Sequence, residues 1–425
     1  MAYTWFWKST GERIYVSLTG GALTLNFAER VNVSFDGAGR LIGAWFDGVT
    51  FRRALDNRVL AKWSESPTPG HRHRRFLSTP GRKRVIERAY AYAFRVEEGL
   101  RQGTLLLEGT PPAVVRTVAD WLERVRSWDW HRLEGERERF YRVYKPIPIL
   151  PPDQYLALVL QMTEGCSYNR CTFCTFYRDR PFRIKGEEAF RQHILAVREF
   201  LGQGITTRRT IFLADANAVM VPQHRLLPLL RLVNELLPVG SPTVSHGEGA
   251  RWDAHEGFRG IYAFLSAPDA LRKTPEDFAA MRALNLRRVY VGLESGHDPL
   301  RAFILKQGSA RDVLRAVETI KGGGVRVGII FMAGIGGDRF REAHFRDTVA
   351  LIQAMPLGRG DIVYVSPFVP SAEAPYVYDA AEAGIRALEP EEMRQEVRRF
   401  REALLPWARA HDVRLSHYDI REFLY

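Results

Sequence analysis

Apolar and polar residues alternate in short runs over the first sixty positions. RIYVSL (13–18), ALTLNF (22–27), VNVSFD (31–36), LIGAWF (41–46) and VTFRRAL (49–55) follow one another, broken by Gly-Gly and Asp-Gly pairs. Period-two alternation between such turns predicts antiparallel strands. The stretch 63–83 reads as an irregular basic loop, and GTLLLEG (103–109) as one more strand. Pro111-Pro112 then opens a helix with Val115, Val118, Leu122 and Val125 on one face. The proline-rich run from Lys145 to Pro152 reads as a stiff linker and marks a domain boundary.

Beyond it the pattern changes to strands alternating with helices. Strands are expected at 155–161, 210–214, 261–265 (with 243–245 as a competitor), 289–293, 325–332 and 361–366. A helix over 187–201 carries Phe190, Ile194, Val197 and Leu201 on one stripe. Pro222 starts another helix, Thr274-Pro-Glu-Asp277 and Ser309-x-x-Asp312 read as helix caps, and 390–405 is a further amphipathic helix outside the barrel. Regular alternation with right-handed crossovers predicts a parallel sheet curled into a barrel or part of one. In such folds the functional residues lie at the C-terminal ends of the strands.

The chain has 425 residues and a formal charge of +12. Residues 1–148 hold 25 basic and 16 acidic side chains, so most of the excess is N-terminal. The densest patches, 71–75 and Arg82-Lys83-Arg84, could meet phosphates, but no nucleic-acid motif accompanies them and a solvated loop is the simpler reading. No run approaches the ~18 apolar residues of a membrane span. The start lacks a basic segment followed by an apolar one, so a cytoplasmic protein without a membrane partner is expected.

The only cysteines are Cys166, Cys171 and Cys174, spaced C-x4-C-x2-C. A structural zinc site needs four ligands, and His193 is the nearest histidine downstream. A plant-type [2Fe–2S] site needs a fourth cysteine that the chain lacks. An odd count without a secretion signal argues against a disulfide framework. Three thiolates can instead hold three irons of a four-iron cluster and leave the fourth open.

The surroundings favour that last reading. The apolar run YLALVLQ (155–161) leads straight into the cysteine loop, and Phe173 stands within C-T-F-C. IFLADANAV (211–219), VYVGLESG (289–296), LKQGS (305–309) and IIFMAGIGG (329–337) follow in order. This set, covering about residues 150–370, resembles the radical S-adenosylmethionine (SAM) superfamily, in a single-cluster subgroup related to coproporphyrinogen-oxidase-like Fe–S oxidoreductases. The resemblance implies an α/β fold: a partial (β/α)6 barrel over 149–372, with an N-terminal α+β accessory domain (1–148) and a C-terminal helical extension (373–425). It implies a [4Fe–4S] cluster on Cys166, Cys171 and Cys174, with SAM chelating the open iron. The implied activity is reductive cleavage of SAM to a 5′-deoxyadenosyl radical, which takes hydrogen from an unidentified small-molecule or anionic substrate. The electron would come from a donor such as flavodoxin or ferredoxin.

By the same resemblance Asp215 stands where many relatives carry a Gly-Gly-Glu turn that meets the SAM amino group, with Asn217 sharing the task. The Gly-Gly is missing here, and an Asx-turn is the competing account. Glu294 would meet a ribose hydroxyl or amino group, or form a salt bridge. Lys306 would meet the SAM carboxylate, or lie on the surface. Gly334, with Gly336 and Gly337, would admit adenine, and Phe173 would pack beside it or in the core. Tyr177, Arg178 and Arg180 could line the pocket. His246, Glu248, Arg251 and His255 could touch substrate, although an ordinary surface loop is the plainer reading. No catalytic acid or base is singled out. With all cysteines in one loop, an auxiliary cluster or a catalytic cysteine is not expected, and no cobalamin signature is present. Two other functions remain: a non-catalytic haem-binding or chaperone relative, and an RNA-modifying enzyme docking through the basic N-terminal domain.

Overall fold

The computed structural model describes residues 2–64, 72–240 and 257–425. In the N-terminal part the alternation becomes strands β1 (Ala2–Trp7), β2 (Arg13–Thr19), β3 (Ala22–Phe27), β4 (Val31–Asp36), β5 (Leu41–Phe46), β6 (Val49–Arg53), β7 (Val59–Ser64) and β8 (Arg72–Phe76). Each pairs antiparallel with the next. After helix α1 (Thr79–Arg101), the short β9 (Leu105–Leu106) pairs beside β1. Alternate residues such as Trp5, Ile14, Leu25, Val33 and Phe35 form a buried face. That face is covered by α1 and by α2 (Pro112–Arg126), through Ile86, Ala93, Val118 and Trp121. Helix α3 (Trp130–Val143), capped by Asp129, joins this core through Leu133 and the second core through Phe140.

The basic stretch 63–83 differs from the expected loop. It contains the end of β7, the edge strand β8 and the start of α1, while residues 65–71 lie outside the described residues. An edge strand tolerates charged side chains, which hides it from a hydrophobic pattern. Its charges are used within the fold: Arg74 pairs with Asp419 at 2.6 Å, and buried Arg82 lies 3.4 Å from Glu134.

The second part follows the β/α alternation. Its elements are β10 (Ala157–Gln161), the small β11 (Thr163–Glu164) and β12 (Arg183–Ile184), α4 (Glu187–Leu201), β13 (Thr210–Ala214) and α5 (Gln223–Leu236). Next come β14 (Ile261–Phe264), α6 (Ala267–Ala270), α7 (Pro275–Ala283), β15 (Leu286–Glu294), α8 (Asp298–Phe303) and α9 (Ala310–Gly322). The chain ends with β16 (Arg326–Ala333), α10 (Arg341–Ala354), β17 (Ile362–Pro367), α11 (Pro375–Glu382), α12 (Pro390–Ala410) and β18 (Arg414–His417). The capping boxes at Thr274/Asp277 and Ser309/Asp312 form as their sequences suggest.

All six expected strands are present, in one parallel sheet ordered β10-β13-β14-β15-β16-β17-β18. The competitor strand 243–245 lies outside the described residues. A seventh strand, β18, extends the sheet, so the segment after 373 is not helical alone. Its sequence RLSH has no apolar alternation, and backbone pairing with β17 from Ile362↔Arg414 to Val365↔His417 holds it.

The sheet curls. Asp153, just before β10, reaches Tyr290 on β15 and Tyr364 on β17, each hydroxyl donating to its carboxylate at 2.7 Å. It stays open between β10 and β18, where the proline-rich linker and the C-terminal tail fill the gap. Tyr144 donates to the Val159 carbonyl at 3.0 Å, and the Val159 N–H donates to the Tyr425 hydroxyl at 3.0 Å. Tyr418 donates to the Leu150 carbonyl at 2.9 Å. Among the described residues no helix is long and apolar enough to cross a membrane.

Candidate functional site

Parallel strands place all their C-terminal ends on one rim, and the cysteine loop leaves β10 at that rim. β11 and β12 pair antiparallel and close the base of the loop, with Lys185 and Glu164 ion-paired at 2.6 Å across it. Cys166, Cys171 and Cys174 are half-buried, and none is in a disulfide. Arg178 donates to the Cys174 and Cys171 carbonyls at 3.1 and 3.2 Å. The middle of the loop is clamped at Thr172. Its N–H donates to the Ile304 carbonyl after α8, and its carbonyl accepts from Tyr376 N–H on α11, both at 3.1 Å.

Asp215 follows β13 and is buried. Gln161 Nε2 (3.0 Å), Gly165 N–H (2.9 Å) and Arg180 Nε (3.2 Å) all donate to its carboxylate. Burial raises its pKa above the usual carboxylate value, against the pull of Arg180. The carboxylate thus ties the cysteine loop to two strand ends. The same network reaches the linker, since Lys145 N–H donates to Gln161 Oε1 at 2.8 Å and Arg180 donates to the Pro146 carbonyl at 2.7 Å. Asn217 donates to Ser167 in the loop at 3.1 Å and to Asp269 at 2.6 Å, and accepts from Ser266 N–H at 2.9 Å.

Glu294 ends β15 with a positive φ of 59° and pairs with Lys306 at 2.8 Å. Burial acts to lower the Lys306 pKa, but Glu294 and the Cys171 thiol outweigh it and the value rises. Burial raises the Cys171 thiol, with Lys306 opposing, and pushes Cys174 up to about 11. Glu294 and Lys306 are held by a residue that sequence reasoning missed. Arg301 is almost fully buried and donates to the carbonyls of Leu293 and Ser295, and to those of Gln307 and Gly308 at 3.1 and 2.8 Å. Its five donors answer carbonyls on both sides of the pair. A second missed residue, His344, links the ends of β15 and β16. Ser295 Oγ lies 2.8 Å from its Nδ1 and the Met332 carbonyl 3.0 Å from its Nε2. The only local signals are an arginine five positions before Lys306 and a histidine within a helix.

Phe173 packs, half-buried, in a cluster with Leu300, Ile304, Ile335, Phe368 and Tyr376. Gly334 has φ +80°, and Met393 and Leu388 fill the space a side chain would need there. That glycine therefore lets α12 approach β16. Tyr177 is buried with the Arg180 guanidinium 5.3 Å from its ring centroid. His193 accepts the Gln161 N–H at 2.9 Å, and burial lowers its pKa to about 3. It braces β10 from α4. His246, Glu248, Arg251 and His255 lie outside the described residues.

Among the described residues no three His, Cys, Asp or Glu side chains converge as the ligands of a single ion do. A four-iron cubane is broader than one ion and takes one thiolate at each of three corners. Three thiols on one clamped loop, near enough to influence one another's ionisation and with Lys306 beside Cys171, fit such a cluster. Ligation would displace the protons that burial now favours.

Residues 160–351 match a family model described as the radical SAM superfamily. No curated protein matches the chain significantly. Among solved structures the similarities are distant. The cobalamin-dependent S-adenosylmethionine radical enzyme OxsB aligns at 14% identity and a TM-score of 0.36, over 66% of this chain and 38% of its own. Coproporphyrinogen III oxidase (HemN) from Escherichia coli aligns at 12% and 0.39, over 63% and 56%. The FeFe-hydrogenase maturase HydG from Carboxydothermus hydrogenoformans aligns at 14% and 0.39, over 79% and 72%. The chain thus spans well under half the length of the first of these.

Proposed function

The chain carries a radical SAM domain over residues 160–351, and on that premise we propose that it is a radical SAM enzyme acting on a small-molecule or anionic substrate. The observation that carries this reading is the cysteine trio: three thiols and no fourth, on a clamped loop at the C-terminal rim of a parallel sheet. A [4Fe–4S] cluster with SAM at its open iron would supply one-electron cleavage of SAM to methionine and a 5′-deoxyadenosyl radical that abstracts hydrogen.

The protein's own residues then have definite tasks. Cys166, Cys171 and Cys174 would hold three irons. Asp215, Arg180 and Gly165 fix the base of the loop and Thr172 fixes its middle, so the ligands are pre-positioned before loading. Lys306 places a cation beside Cys171, suited to a SAM carboxylate. Glu294 Oε1 is bound by Lys306, which leaves Oε2 to accept from a ribose hydroxyl or an amino group. Asn217 braces the loop at Ser167 from the same rim. The half-buried aromatics around Phe173 exclude water from one side. A low-potential carrier of the flavodoxin or ferredoxin type would deliver the electron.

The test is anaerobic reconstitution with iron and sulfide, reduction with dithionite, and detection of 5′-deoxyadenosine by mass spectrometry. Wild-type protein should load a full four-iron cluster and form the nucleoside, and Cys174→Ala should do neither. A fully loaded cluster that yields no 5′-deoxyadenosine with SAM present would overturn the proposal. Stoichiometric haem binding by that inactive protein would point to the haem-binding alternative.

A further inference from the structure

On the face opposite the cysteines, where the strands begin, a solvent-open cavity of about 670 Å³ enters the barrel. Its walls include Thr210, Ile362 and Arg414, the first residues of β13, β17 and β18, with Asp153 from the segment before β10. The size is that of a small-ligand site. Its lining holds no cysteine, histidine or glutamate, which suits binding rather than a second chemistry.

Three arginines and three aspartates line it, and the aspartates are already answered. Asp153 accepts from Arg288 at 2.6 Å and from the Tyr290 and Tyr364 hydroxyls. Asp361 is paired with Lys321 at 2.5 Å and accepts from Val327 and Gly358 N–H groups. Asp412 is exposed beside Arg359 at 3.8 Å. Among the described residues, exposed Arg259 and Arg414 have no carboxylate partner, and Arg326 adds a third exposed cation close to Tyr262. Deeper in, Arg288 is buried and its Nε–H has no acceptor. An orphaned buried donor is unfavourable, more so on a charged group.

We propose that this cavity binds a small oxyanion, a phosphate or a carboxylate, between Arg259 and Arg414 at its mouth, with the buried Arg288 cation behind them. Guanidinium forks match both headgroups. The site is separate from the cysteine rim and does not depend on the reading of that rim.

The experiment is isothermal titration of the full chain, at fixed ionic strength, with inorganic phosphate, pyrophosphate and citrate. Saturable one-to-one binding below about 1 mM is expected for at least one probe. Tighter binding of the phosphates assigns a phosphorylated ligand, tighter binding of citrate a carboxylated one, and either supports the proposal. Arg259→Gln/Arg414→Gln changes two exposed side chains and should weaken binding at least tenfold with the melting temperature unchanged. Lys306→Gln, on the other face, should leave the affinity as it is. Absence of saturable binding by all three probes, or equal affinity in the double variant, would overturn the proposal.

Discussion

Two charged residues decide more of the site than their positions in the chain suggest. Asp215 and Arg180 are thirty-five residues apart and form a nearly dry ion pair that anchors the cysteine loop. Arg180 also meets Asp179 at 3.0 Å, so losing the Asp215 charge leaves it one buried acceptor short rather than unpaired, at a cost of about 1–3 kcal/mol. Asp215→Asn should therefore lower stability by that order in urea titration and reduce iron loading on reconstitution; unchanged loading would show that the loop is set elsewhere. His344 gives a pH signature. Burial lowers its pKa to about 4, from an ordinary value near 6.5. The fold keeps it neutral, so its contribution is fully present above about pH 6.5 and is lost as pH falls towards 4. The loss amounts to about 1.4 kcal/mol per pH unit, or about 3 kcal/mol in total. His344→Gln should flatten the urea-stability profile in that window, and parallel profiles for variant and wild type would refute it. Cys166, Cys171, Cys174 and the twelve-residue spacing of Glu294 and Lys306 are legible in sequence because ligand type and spacing are local. The role of Arg301 is not, nor is the bond from Arg180 to Asp215, because a charged side chain reads as surface until distant carbonyls and carboxylates are brought to it.

At the scale of elements, a continuous apolar run bounded by polar residues is a good guide where a strand is buried on both faces. β13 runs from Thr210 to Ala214 as its pattern suggests, and it is buried throughout. In helix α1, Ile86, Ala89, Ala93 and Val96 form a regular stripe. Its opening turns, Arg82-Lys83-Arg84, extend the charge of the preceding basic stretch and mask that stripe. β18 has no stripe at all, since backbone pairing alone makes it a strand. The edge of β10 that no strand pairs with is met by side-chain hydroxyls. Tyr425→Phe should leave the Val159 N–H without an acceptor. A loss of about 1–3 kcal/mol is expected, with faster amide exchange at Val159 than at Leu213. Equal exchange rates in variant and wild type would exclude this capping role.

At the scale of the whole molecule, the two sheets meet through specific polar contacts. Arg40, in the β4–β5 turn, is buried and donates to Glu136 at 2.8 Å and to the Leu201 and Phe200 carbonyls at 2.9 and 2.6 Å. It thereby caps α4 from the other core. Arg40→Met leaves buried Glu136 with Arg139 alone and strips the donors from the Phe200 and Leu201 carbonyls, so it should destabilise the protein by about 1–3 kcal/mol and separate the thermal transitions of the two parts. A single transition at the wild-type temperature would argue against this coupling. The amino-acid sequence by itself determined the α/β class, the order of six parallel strands and the cysteine spacing. These depend on hydrophobic period, turn residues and ligand chemistry within a few positions. Only the tertiary structure decided the rest: the seventh strand, the tyrosine-lined gap, the pairing of Asp215 with Arg180 and the arginine-lined cavity below the strands. Each of those depends on which backbone and side-chain groups end up adjacent and dry, and long-range packing alone settles that.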